Sequence, residues 1–75
     1  MNLSEVKLNT KCIVKAVKVK DEKTKIRLME LGLIEDCEIV VNKKSALKKT
    51  LLVIFAHSCF TLKDNLAREI EVEYA

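Results

Sequence analysis

From Cys12 to Val19 the chain is rich in β-branched residues and reads as a strand, but its apolar phase slips. Cys12 and Val14 share one parity, whereas Val17 and Val19 share the other. Two in-phase segments joined by a one-residue slip predict a bulge or sharp bend near Lys15-Ala16. The period then lengthens. Ile26, Met29 and Leu33 recur at i, i+3 and i+7, with Leu28 and Leu31 beside them, which predicts an amphipathic helix over residues 22–31. Asp21 offers an N-cap, and Glu22 puts negative charge at the positive end of the helix dipole. Gly32, the only glycine, follows at once and fits a left-handed residue, with Leu33 folding back onto Leu28. A helix this short is marginal alone in water. Its stripe of Ile26, Met29 and Leu33 is therefore expected to face inward, leaving Lys25, Arg27 and Glu30 nearer solvent.

After the helix the period is two. Cys37, Ile39 and Val41 alternate with Glu38, Val40 and Asn42, and the lysine-rich stretch 42–49 reads as a loop. Thr50 to Phe55 is a strand apolar on both parities. Ala56-His57-Ser58 suits a tight connection to a strand at 59–62. Asp64 can cap one helical turn through Arg68, and Ile70, Val72 and Tyr74 alternate in a last strand. The sum is a mainly β fold: a small, strongly bent barrel of about five strands, with one short α-helix inserted after the first strand. One domain over residues 1–75 is expected, because so short a chain has no material for a second core.

Composition narrows the function. Leu, Ile, Val and Phe make up 26 of 75 residues, enough to drive folding. The longest apolar run, Leu51 to Ala56, is strand-sized and far short of a membrane span. The first residues lack the basic start and apolar run of a secretory signal. A cytoplasmic protein is expected. Three cysteines, Cys12, Cys37 and Cys59, are an odd number set among aliphatic neighbours, so all three read as small buried hydrophobes rather than a disulfide framework. The net charge of +3 is too mild to name nucleic acid as a partner, and none is expected. Lysines 15, 18, 20, 23 and 25 with Arg27 do cluster, but no aromatic residue interleaves them for base stacking.

His57 and Cys59 are the weak candidates for a metal site, at i, i+2 and so on one face if both lie in a strand. Zinc or iron needs three or four ligands, so neither a resident metal nor another cofactor is expected. As a nucleophile and base the same pair lacks an orienting third group, and one glycine cannot form a phosphate-binding loop. No enzyme is expected.

At Ile26-Arg27-Leu28-Met29-Glu30-Leu31-Gly32-Leu33-Ile34 the sequence resembles the helix-and-glycine signature "RRLxxLGL" of the ferrous iron transport protein A family, FeoA. In order there follow Glu38 to Val41, matching its next strand, and Ser45-Ala46-Leu47, at the position of an "APLGDP"-like loop. Phe60 to Lys63 matches "xLxLR", and Leu66 to Val72 resembles the closing "EAxxIxV". The resemblance spans roughly residues 6–73. The chain departs from the family pattern at turns: "PG" after the helix is Glu35-Asp36, the loop glycines are absent from the lysine-rich stretch, and the hairpin glycine is His57. Histidine tolerates a positive φ better than most residues, which suits a turn role.

The resemblance implies an SH3-like barrel that is not itself a transporter. It implies a partner, a membrane ferrous iron transporter with a cytoplasmic G domain (FeoB-like), with recruitment to the inner face of the membrane. Similar barrels in iron-dependent repressors keep an iron-sensing regulatory module open, beside an RNA-binding one. Gly32, Leu28, Leu31 and Leu33 are expected to be structural. Partner contacts are expected at Lys25, Arg27 and Glu30 on the helix and at Val40, Leu52 and Ile54. The last three share the parity left over once Leu51, Val53 and Phe55 fill the core, and either the helix covers them or a partner does.

Overall fold

The computed structural model describes residues 1–75. Five antiparallel strands, β1 (Cys12–Val17), β2 (Glu38–Ser45), β3 (Thr50–Phe55), β4 (Ser58–Lys63) and β5 (Ile70–Tyr74), form one sheet in the order β4-β3-β2-β1-β5. The ten-residue helix α1 (Glu22–Leu31) lies between β1 and β2, and a single turn, α2 (Asp64–Ala67), carries the chain from one edge strand to the other. The mainly β class and the one inserted helix follow the sequence pattern. A short 3-10 turn over Leu3–Glu5 precedes them, closed by a capping box between Asn2 and Glu5.

The core is a single cluster. Every strand contributes to it: Cys12 and Val14, Ile39 and Val41, Leu51, Val53 and Phe55, Leu62, Ile70 and Val72. The phase slip in β1 is a real bulge. Val14 pairs with Val72 but Ala16 with Glu71, so Lys15 is the extra residue, and the inward set passes from Cys12 and Val14 to Val17 and Val19. The inserted residue bends the strand and lets apolar residues of both parities reach one core. Phe55 stacks on Phe60 with ring centroids 4.6 Å apart, closing the end of the core beneath the β3–β4 turn.

Several turns of the chain take left-handed backbone without glycine. Asp36 (φ 71°), Lys49 (φ 54°) and His57 (φ 61°) are all left-handed, as is Ala56 (φ 51°). Ala56-His57 therefore forms a two-residue turn with positive φ at both positions, the arrangement that matches strand twist. Asparagine, aspartate and histidine tolerate this region; lysine and alanine do so at a cost.

One expectation is corrected here. The lysine-rich stretch is not all loop. β2 runs on through Ser45, with a bulge between Val41 and Lys43, and only residues 46–49 turn. The lead-in ahead of β1 belongs to the core, with Leu3 and Val6 fully buried. Lys44 holds that lead-in down: its Nζ donates to the carbonyls of Ser4 (2.8 Å) and Val6 (2.9 Å).

Candidate docking surface

The helix ends as its glycine predicts. Gly32 has φ 106°, its amide donates to the Met29 carbonyl (3.0 Å), and the Leu33 amide donates to the Leu28 carbonyl (2.9 Å). This is the Schellman pattern, and its hydrophobic partners Leu28 and Leu33 are both buried. A second constraint acts on the same residue. A Cβ placed on Gly32 would lie 3.0 Å from the Cβ of Ala56, so the helix end rests against the β3–β4 turn.

The face of the helix is the reverse of the one expected. Leu28 is its only buried residue, with Thr24 one turn earlier half-buried. Ile26 lies two residues, roughly 200° of helical rotation, from Leu28 and so points away. Met29 follows it at i+3. The helical period does not run through to Leu33, which stands beyond Gly32 where the chain has already reversed. Ile26 is 52% exposed, Met29 51%, Leu31 40% and Ile34 50%. Leu31, expected to be structural, belongs to this exposed set. Arg27 and Glu30 are exposed as expected, whereas Lys25 is half-buried.

On the sheet, the division of β3 is as expected. Leu51, Val53 and Phe55 are buried, and the other parity forms the outer face. Register places Val40, Ile54 and Cys59 directly opposite one another across β2, β3 and β4, with Leu52 paired to Thr61 beside them. Val40 and Leu52 are half-buried and Ile54 is 36% exposed.

The thiols divide by position. Cys12 is buried, and the loss of water raises its thiol pKa above the ordinary value. Cys37 is half-buried, but Cys59 is exposed on the outer face, contrary to the expectation that all three are core residues. His57 sits in the turn rather than in β4, so the one-face geometry supposed for His57 and Cys59 does not hold. No group of three His, Cys, Asp or Glu side chains gathers to hold an ion. The donors present do not fit a resident metal.

A protein-family model described as the FeoA domain matches residues 1–74. The chain belongs to that family. Among solved structures it is similar to the FeoA protein of Chlorobium tepidum, with 28% identity and a TM-score of 0.90 over 99% of this chain and 70% of that one. It is also similar to Stenotrophomonas maltophilia FeoA, solved in complex with zinc, with 29% identity and a TM-score of 0.82 over 97% of this chain and 89% of that one. The latter is described as a prokaryotic SH3 domain protein and a candidate ferrous iron transport activating factor. The SH3-like fold expected from the resemblance is therefore the fold of this chain. A manganese-dependent transcriptional repressor shares the fold at 14% identity and a TM-score of 0.89, over all of this chain and 36% of the repressor. No curated protein sequence matches the chain. No helix is long and apolar enough to cross a membrane.

Proposed function

We propose that the chain is a non-catalytic cytoplasmic accessory protein that docks on a membrane ferrous iron transporter with a G domain, FeoB-like, and supports or regulates it. One observation carries this reading: Ile26, Met29 and Leu31 stand at 40–52% exposure on a helix that buries only Leu28, and Ile34, just past its end, is 50% exposed. Monomeric domains rarely present so many aliphatic residues in so short a segment unless something covers them. The outer strip of Val40, Leu52 and Ile54 offers a second apolar set on the sheet, and Arg27, Glu30 and Lys25 set orientation and association rate. Iron is the transporter's cargo in this reading and needs no site on the accessory chain. The activating role put forward for the Stenotrophomonas protein supports it.

The test is ferrous iron uptake in cells lacking the chain. The wild-type sequence restores uptake, whereas Ile26→Glu with Met29→Lys does not. Both replacements are good helix formers at exposed positions and leave the net charge unchanged, so the variant folds. Full uptake with that folded variant would end the reading.

A further inference from the structure

The loop between β2 and β3 takes no part in the surface described above. It is four residues long, Ala46 to Lys49, closed by the pair Ser45–Thr50. At its apex Leu47 is 94% exposed, the most exposed large apolar side chain in the molecule. Lysines flank it on both sides. Between the loop and α2 lies a concavity of about 800 Å³ whose charged lining is Lys44, Lys48, Lys49, Lys63, Arg68 and Asp64. Asp64 is the only acid among them, and Arg68 already neutralises it at 2.9 Å. Lys49 is held at φ 54° with its carbonyl accepting from the Asp64 amide at 2.8 Å.

We propose that this loop is a contact site for an anionic lipid surface. An apolar apex standing beyond a ring of amines fits a bilayer boundary: the leucine passes below the headgroups while the lysines, with long apolar stems, keep their charges at the phosphates. Each lysine near such a surface adds attraction that salt screens. An acidic polypeptide could occupy the concavity, but it would leave the apex leucine in water. The inference goes beyond the transporter reading and stands apart from it, because the loop and the exposed helix residues are different surfaces and the probe contains no protein partner.

The experiment uses the whole chain. It has no tryptophan, so Leu47→Trp places a single reporter at the apex. With vesicles of equal parts phosphatidylcholine and phosphatidylglycerol at low salt, its emission is expected to shift to the blue. Pure phosphatidylcholine should give no shift, and high salt should reverse the one seen. Adding Lys48→Gln and Lys49→Gln should weaken vesicle partitioning roughly thirtyfold. Unsubstituted protein should co-sediment with the anionic vesicles, which tests the site without any replacement. The proposal is overturned if anionic vesicles leave the emission unchanged, or if loss of both lysines leaves the partitioning unchanged. A shift with soluble polyglutamate and none with vesicles would also overturn it, and would assign the loop to an acidic protein instead.

Discussion

Replacing Gly32 tests two structural constraints with one atom. At φ 106° a side chain is disfavoured whatever the surrounding space, and left-handed backbone costs an ordinary L-residue about 1–2 kcal/mol. The added Cβ would also press on the Cβ of Ala56 at 3.0 Å. Ala56 cannot yield freely, because it is itself at φ 51° in a two-residue turn that sets the β3–β4 register. Overpacking of this kind costs about 1–3 kcal/mol. Gly32→Ala should therefore destabilise by about 2 kcal/mol, and Gly32→Val, β-branched, by about 4 kcal/mol. A chain this size has a total stability on the order of 4–11 kcal/mol, so the valine variant loses a large share of it. At roughly 4–8 °C per kcal/mol, the alanine variant should melt roughly 8–16 °C below wild type by circular dichroism. The two causes separate in a double-mutant cycle. Ala56→Gly removes the contact, so Gly32→Ala in that background should cost about 1 kcal/mol less than in the wild type. A Gly32→Ala melt equal to wild type would refute the left-handed cap, and strict additivity with Ala56→Gly would refute the contact.

Three further outcomes follow from particular contacts. Cys59 should react with a thiol reagent within minutes in the folded protein, whereas Cys12, buried and with its thiolate disfavoured, should react only on unfolding; mass spectrometry of the timed reaction separates them. Lys44→Met should cost about 1 kcal/mol in a urea melt, because it frees the carbonyls of Ser4 and Val6 that tie the buried lead-in to β2. In the 75-residue chain the Met1 ammonium donates to Glu71 at 2.7 Å, which lowers the Glu71 pKa, with Lys18 adding to the effect, and raises that of the amine. The carboxylate's contribution is present above its unfolded pKa and fades as pH falls through the lowered folded value. The amine's is present below its unfolded pKa and fades as pH rises through the raised one. Glu71→Gln should flatten the acid side of a stability-against-pH curve measured by thermal melts.

Strand parity was readable wherever the core is two-sided and the pattern strict. The slip between Val14 and Val17 could only be absorbed by an extra residue, and the bulge at Lys15 is that residue. Gly32 was readable because one physical requirement, a positive φ at a helix end, singles out one residue type. The outward turn of α1 was not legible. Periodicity says that a helix has an apolar stripe but not what the stripe faces, and the one residue that decides, Leu28, lies off the stripe of Ile26 and Met29. Nor was the buried lead-in legible, since Leu3 and Val6 lie in a segment too short to show any period. The exposure of Cys59 follows from the alternation of a strand: Phe60 beside it packs on the core, so the thiol points to the other face. The proposed docking surface was therefore legible in part, as Val40, Leu52 and Ile54, while its part on α1 emerged only from the fold.

The most direct measurement of the docking surface is the affinity of this chain for a FeoB-like ferrous iron transporter, G domain included, held in nanodiscs and titrated by biolayer interferometry. The wild-type chain should bind saturably. Ile26→Glu with Met29→Lys, melting as wild type does, should bind at least about tenfold more weakly, since two interface anchors lose more than about 1.4 kcal/mol between them. Equal affinity of that folded variant and the wild type would contradict the assignment of the α1 face as the contact with the transporter.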